Sequence, residues 1–225
     1  NPLGTEDAAR DLAVLEAGPG FVVLPKCGCG QDATELAARL SVAEAEAGLE
    51  EGTVRIMAIA TETAASLFTL GTYEGATQRL AAMAWGMEDL STALSATRTR
   101  DQSGTLTGPY ALARTLCLAS AHAAGVAPLD TVHTNIRDEG GLAQDCRDAV
   151  TDGFYGKMAI HPAQVAVINE AFTPDTEAVA HARQIVEAFD ADPTAGVLSL
   201  DGKMIDRPHL ENARNLLARA QGRDR

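Results

Sequence analysis

Two carboxylates stand where alternating strands and helices would place reactive groups. Glu62 follows the apolar run at 56–60, and Asp89 follows the run ending at Trp85-Gly86. In parallel sheets, polar residues just past the strand ends line the rim where ligands bind. On adjacent strands these two acids would converge, and paired oxygen donors suit Mg2+, which is often held by one or two carboxylates plus substrate and water. A plainer role fits equally well: each acid precedes a helix-like stretch, and negative charge is favoured at a helix N-terminus. The pattern alone leaves both open.

Other polar residues flank the apolar runs. Lys157 and His161 bracket Met158-Ala159-Ile160 and could bind a phosphate or a thioester carbonyl, or simply be exposed. Asp130, Asp138 and Glu139 flank another strand end, where Asp138-Glu139-Gly140-Gly141 reads as a turn with a helix cap. Asp206 is a good N-cap for the last helix and needs no further role. Cys27-Gly28-Cys29 lacks the CxxC spacing of a metal or redox pair, and no second pair or nearby His completes a ligand set.

The elements that must position these groups alternate. Compact β-rich runs fall at 21–24, 54–59, 81–85, 131–136 and 154–160. Helical spacing marks 32–47, a stretch near 63–70, the segment between Pro109 and Gly125, 142–150, and the stretch opened by Pro162. Such alternation signals a parallel sheet with crossover helices. No Gly-x-Gly-x-x-Gly follows the first strand, so a dinucleotide fold lacks its signature. About five strand–helix units are too few for a closed eight-stranded barrel of roughly 250 residues. Either the sheet is open, or the chain begins inside a barrel; Asn1-Pro2-Leu3, which looks like a strand end, favours the second. After Pro174 come an amphipathic helix at 174–190, two short apolar runs around Asp201-Gly202, a strong hairpin signal, and a last helix at 207–220. The expected division is a barrel domain over 1–173 and an extension, acting as an arm or lid, over 174–225.

The net charge is −13, from 18 basic and 31 acidic residues in 225. That argues against nucleic acid, which needs a basic face. No apolar run approaches the length of a membrane span. Four cysteines in a domain of this size read as reduced thiols, as in a cytoplasm.

Four segments in register are more specific than any one of them: Ile59-Ala60-Thr61-Glu62-Thr63-Ala64, Trp85-Gly86-Met87-Glu88-Asp89-Leu90, Gly153 through Gln164 with Gly156-Lys157 and Ile160-His161-Pro162, and Gly202-Lys203-Met204-Ile205-Asp206-Arg207-Pro208. In this order they resemble the citrate lyase beta-subunit family, which includes malyl-CoA and citramalyl-CoA lyases and related thioesterases. Val22-Val23-Leu24-Pro25-Lys26 is similar to that family's fourth barrel strand, and the resemblance covers nearly the whole chain. It implies a (β/α)8 TIM barrel whose first strands precede Asn1, with a C-terminal extension that lies over a neighbouring subunit in a homo-oligomer, a trimer or hexamer. The family's substrate-contacting arginine would also precede Asn1.

The resemblance further implies that Glu62 and Asp89 ligate Mg2+, and that the amides around Met87, Glu88 and Asp89 hold the carboxylate of a 2-oxo acid. Lys157, Ile160, His161 and Pro162 would line the region for the CoA pantetheine. Asp206, delivered from a neighbouring protomer, would act as acid or base, with a pKa raised in a closed, partly dry site. Cys27-Gly28-Cys29-Gly30 departs from the family's usual residues beside the site. The implied reaction is Mg2+-dependent carbon–carbon cleavage of a short 3-hydroxyacyl-CoA, such as malyl-CoA or citramalyl-CoA, to a thioester and a 2-oxo acid. The rivals are an aldolase of free 2-oxo acids, a malyl-CoA thioesterase, and a non-catalytic subunit of a citrate lyase-like assembly.

Overall fold

The computed structural model describes residues 1–13 and 18–221. It divides into two compact units, Asn1–Ile168 and Asn169–Arg225.

The first unit is built on five parallel strands: β1 (Phe21–Leu24), β2 (Arg55–Ile59), β3 (Leu80–Ala84), β4 (Ala127–Asp130) and β5 (Gly156–Lys157). They pair in sequence order, β1-β2-β3-β4-β5. A doubly wound sheet reverses its strand order at a switch point. This one never does, so every strand end that follows in the chain falls beside the last along one rim. The described residues of this unit form five strands of sheet and do not by themselves close a barrel. Apolar β-rich residues make the strands because they are buried in rows: Ile56 and Ala58 on β2, and Leu80, Ala82, Met83 and Ala84 on β3. The connecting helices are α2 (Gly30–Ala47), α4 (Gly108–Ala123) and α5 (Glu139–Asp152). They bury Leu36 and Leu40, Tyr110, Ala113 and Cys117, and Leu142, Cys146 and Ala149 respectively. Short α1 (Glu6–Asp11), α3 (Met87–Ala93) and the start of α6 (Gln164–Phe172) complete the unit.

Three expectations are corrected. The stretch near 63–70 is not an α-helix but two 3-10 turns, Ala65–Phe68 and Leu70–Tyr73. The strand expected at 131–136 lies earlier, at β4. Pro128 hides it, because a proline ordinarily argues against a central strand. The alternation at 131–136 belongs to the loop that leaves the sheet. The strand expected at 154–160 is only two residues, Gly156–Lys157.

A buried ion pair stands at the opposite end of the strands from that rim. Glu44 on α2 is fully buried and receives Arg79 in bidentate fashion, Nη1 to Oε1 at 2.8 Å and Nη2 to Oε2 at 2.6 Å. Its oxygens also accept the backbone N–H groups of Gly52 at 2.9 Å and Val54 at 2.7 Å. Val54 and Arg79 directly precede β2 and β3, so one carboxylate fastens the starts of two central strands to the helix.

The second unit holds α7 (Thr176–Ala191), the antiparallel pair β6 (Val197–Leu200) and β7 (Lys203–Asp206), and α8 (Arg207–Gln221). Its core is Ala182, Ile185, Phe189, Ile205, Leu210 and Ala213. Asp201 and Gly202 join the two strands with positive φ, 50° and 75°, the backbone a two-residue hairpin of matching twist requires. The Asp-Gly signal was therefore a sufficient guide to this turn.

Candidate active site at the strand ends

Glu62 and Asp89 come together. Glu62 follows β2, Asp89 lies in the first turn of α3 just past β3, and β2 and β3 are hydrogen-bonded neighbours. The two carboxyl groups lie close enough for Asp89 to act on the Glu62 carboxyl. Burial pushes the Glu62 carboxyl above its ordinary value; the Lys26 amide acts against this, and the facing Asp89 adds to it. Asp89 sits in the first turn of its helix, where negative charge is favoured, so the plainer role holds beside the metal reading.

The approach is close because Gly86 lies between them. A Cβ there would stand 2.5 Å from Glu62 Cγ and 3.2 Å from Ile59 Cγ2. Thr61 Oγ1 accepts the Gly86 N–H at 3.0 Å, which fixes the chain leaving β3 against the chain leaving β2. Gly86→Ala is expected to push Glu62 aside and to destabilise the protein by about 1–3 kcal/mol, the usual effect of overpacking. A thermal melt and a Mg2+ titration check this; a variant with native melting and native metal affinity would refute the packing argument.

Lys26 was not singled out in the sequence, yet it contacts both acids. Its N–H donates to Glu62 Oε2 at 2.5 Å and its ammonium meets Asp89 Oδ1 at 3.1 Å. The signal was available: Lys26 is the first polar residue past β1. Its loop is pinned from below. Cys27 N donates to Ile59 O at 3.2 Å, Tyr73 Oη donates to Cys27 O at 2.9 Å, and Gly30 N donates to Thr72 Oγ1 at 2.8 Å. The second 3-10 turn thus holds the loop that carries Lys26. Burial pushes the Cys27 thiol up to about 11, so a thiolate ligand or nucleophile is not formed there near neutrality.

The first turn of α3 carries Met87, Glu88 and Asp89. The Met87 N–H donates to Thr131 Oγ1 at 3.3 Å. Helix geometry leaves the amides of Glu88 and Asp89 with no acceptor in their own helix. The side chain of Met87 is buried and that of Glu88 is exposed.

Lys157 differs from expectation. Its ammonium is buried and pairs with Asp130 Oδ2 at 3.0 Å. Asp130 also accepts Trp85 Nε1 at 2.6 Å and Arg114 Nε at 3.1 Å. Burial acts to raise the Asp130 carboxyl, but the Lys157 and Arg114 charges outweigh it and hold it below the usual range. The ammonium expected to face a thioester is instead committed to the interior, where it ties β5 to β4. Ile160, His161 and Pro162 are exposed in the loop after β5. Buried Gln164 holds that loop, taking the Ile160 N–H on Oε1 at 2.9 Å and donating to His133 O at 2.8 Å. The Asp138 carboxylate accepts from Gly141 N at 2.9 Å as the cap of α5, as the turn pattern suggested.

Asp206 lies in the second unit, as the last residue of β7 directly before α8. Its Oδ1 meets His209 Nδ1 at 2.5 Å, and this contact holds the carboxyl below its ordinary value. In this unit by itself the group is partly exposed and favours the ionised form.

The donor set fits a hard dication. Two carboxylates face each other at the rim, and no cluster of three or more His, Cys, Asp or Glu able to hold a metal occurs among the described residues. Zn2+ would want three or four N or S ligands, whereas Mg2+ takes one or two carboxylates and completes its shell from water and substrate.

A model of HpcH/HpaI aldolase/citrate lyase matches residues 1–162. The chain belongs to this family. The citrate lyase subunit beta-like protein of Mycobacterium tuberculosis is 35% identical over 222 residues, which cover 98% of this chain and 74% of that protein. The mitochondrial citramalyl-CoA lyase of Rattus norvegicus is 36% identical over 143 residues, 63% of this chain and 41% of that protein. The crystal structure of CitE from Mycobacterium tuberculosis, in complex with magnesium, acetoacetate and coenzyme A, superposes with a TM-score of 0.72 at 32% identity. The match covers 98% of this chain and 76% of that one. Family membership accords with the four segments that carried the resemblance, three of which lie wholly or almost wholly inside the matched residues. No helix among the described residues is long and apolar enough to cross a membrane.

Proposed function

We propose that this chain is a lyase that breaks a carbon–carbon bond in a short 3-hydroxyacyl-CoA, such as malyl-CoA or citramalyl-CoA, with Mg2+ held by Glu62 and Asp89. The observation that carries the reading is the pair of facing carboxylates at the rim of a parallel sheet, each engaged by Lys26. The five strands in sequence order support their being an arc of a (β/α)8 barrel, whose active site lies at this end of the strands. The relatives named for citrate lyase and citramalyl-CoA, and the CitE structure with magnesium and coenzyme A, support the substrate class.

Bound at these carboxylates, Mg2+ supplies Lewis acidity to the 2-hydroxy-carboxylate end of the substrate. Glu62 and Asp89 hold that end at the rim. The amides of Glu88 and Asp89 are placed to receive its carboxylate. Ile160, His161 and Pro162, presented by Gln164, form the exposed edge for the pantetheine arm. Lys157 acts on the site indirectly, through Asp130, by fixing the loops after β4 and β5. Asp206, supplied by a neighbouring copy of the chain, handles the last proton. The carbinol hydroxyl gives up its proton to water as its carbon becomes the 2-oxo carbon, the bond between that carbon and the thioester α-carbon breaks, and the electron pair passes to the α-carbon. Asp206 delivers a proton there, or removes one in the condensation direction. The His209 contact, which keeps Asp206 ionised, suits the removal.

The direct test offers malyl-CoA and citramalyl-CoA to the intact protein with and without Mg2+, and traps any glyoxylate or pyruvate. Metal-dependent release of a 2-oxo acid is expected. Free CoA without a 2-oxo acid would replace the lyase by a thioesterase. Asp206→Asn is expected to lower kcat by about 10²-fold, at the lower end for a lost general acid–base group, with little change in KM. Unchanged turnover would return Asp206 to its plain position ahead of α8.

A further inference from the structure

Lys26 touches both acids of the site with two different groups. Its backbone N–H bonds Glu62, and its ammonium bonds Asp89. It does so from a left-handed backbone, φ 51°, which is unfavourable for any residue with a side chain. Such a conformation persists where the surroundings over-determine it. Here they do: the next residue is anchored on both its N–H and its carbonyl, by Ile59 and Tyr73. The loop therefore presents Lys26 to the two carboxylates.

The two contacts differ in kind. The amide bond to Glu62 is built into the backbone and engages Oε2. The ammonium bond to Asp89 is made by a flexible side chain, with the two side chains 49% and 46% exposed. An ammonium is a point charge on a four-carbon stem that can let go without rearranging the loop. A divalent cation held by Glu62 and Asp89 would compete with that ammonium for the Asp89 carboxylate and would meet its positive charge alongside.

We propose that Lys26 is the site's own tethered counter-cation: it offsets the repulsion between Glu62 and Asp89, and a divalent metal binds by displacing its ammonium from Asp89. The Lys26–Asp89 pair thereby sets the metal affinity. This rests on Glu62 and Asp89 being the metal ligands.

The measurement is calorimetric titration of Mg2+ into the intact protein, with no substrate present. Lys26→Gly keeps the N–H to Glu62, tolerates the left-handed backbone and removes the charge. Lys26→Asn also tolerates that backbone and is neutral, which separates charge from loop flexibility. Both are expected to bind Mg2+ about two- to fivefold more tightly than the native protein, the scale of a half-exposed ion pair. Lys26→Arg keeps the competing charge and is expected to bind as the native protein does. Equal or weaker binding by both neutral variants would overturn the proposal. Glu62→Gln separates the two levels. If it loses Mg2+ while the neutral Lys26 variants match the native protein, only the role of Lys26 falls. If Glu62→Gln binds Mg2+ as tightly as the native protein, the ligand assignment falls and Lys26 with it.

Discussion

Glu62→Gln is expected to abolish measurable Mg2+ binding and to lower lyase turnover by about 10³-fold or more, because a catalytic metal contributes several kcal/mol and each 1.36 kcal/mol is about tenfold. The side chain keeps its shape and still accepts the Lys26 N–H. What it loses is a formal charge at the point where two carboxylates face one cation. The fold should be nearly untouched, or slightly steadier, since burial and Asp89 already press the Glu62 carboxyl toward its neutral form. Loss of metal binding with an unchanged thermal melt is therefore the specific signature. A Gln variant that binds Mg2+ normally and turns over would show that the pair is structural. A variant that loses both function and fold would show that the carboxylate serves packing instead.

The second large effect lies at the other end of the strands. Glu44→Gln leaves the Arg79 guanidinium buried opposite a neutral group, and breaking a buried pair from one side costs about 3–5 kcal/mol. In a protein of this size that is a loss of roughly 6–20 °C in Tm. Removing both partners, as Glu44→Met with Arg79→Met, should cost much less than the sum of the single changes, because no charge is left unpaired. Additive losses would contradict the coupling that the bidentate geometry implies. The same pair predicts acid sensitivity. Arg79 lowers the Glu44 carboxyl from its ordinary 4.5 to about 2. A group depressed on folding stabilises the protein at pH values above its unfolded pKa, and that contribution is lost as pH falls from about 4.5 toward 2. Glu44→Gln should flatten that part of the stability profile; an identical pH dependence in the variant would remove Glu44 as its source.

The two effects separate function from stability along the axis of the sheet. Metal chemistry is assigned to the carboxyl ends of the strands, where loops can vary. The Glu44–Arg79 pair sits at the amino ends, where it fastens α2 to β2 and β3. Such a division is familiar in parallel α/β architectures. It also explains why a buried ion pair exists so far from any site proposed here: it closes the N–H and C=O of Val54, at the start of β2, which would otherwise be buried without partners.

Much of this was legible in the chain. Strand–helix alternation came from period and burial demand, which are local properties, so the parallel α/β class and the helices α2, α4, α5, α7 and α8 could be read directly. Asp201-Gly202 announced its hairpin because few residues accept two successive left-handed conformations. Glu62 and Asp89 could be nominated because each follows an apolar run, and the four segments in register named the family. What failed locally failed for local reasons. Pro128 disguised β4, and the turns at 65–73 carry helix-like spacing too short to settle into an α-helix.

Only the tertiary structure decided the rest, because it depends on which groups meet across long separations. That Glu62 and Asp89 face each other follows from β2 and β3 pairing with Gly86 at the junction, where no side chain would fit. That Lys157 points inward follows from Asp130, a buried carboxylate needing positive partners that also draws in Trp85 and Arg114. Lys26 became a member of the site only once its left-handed backbone placed amide and ammonium on two acids that lie 36 and 63 residues further along the chain. The sequence by itself determined the repeating elements, the family and the nominees for metal ligation. The fold determined their partners, because charge pairing and close approach act through space rather than along the chain.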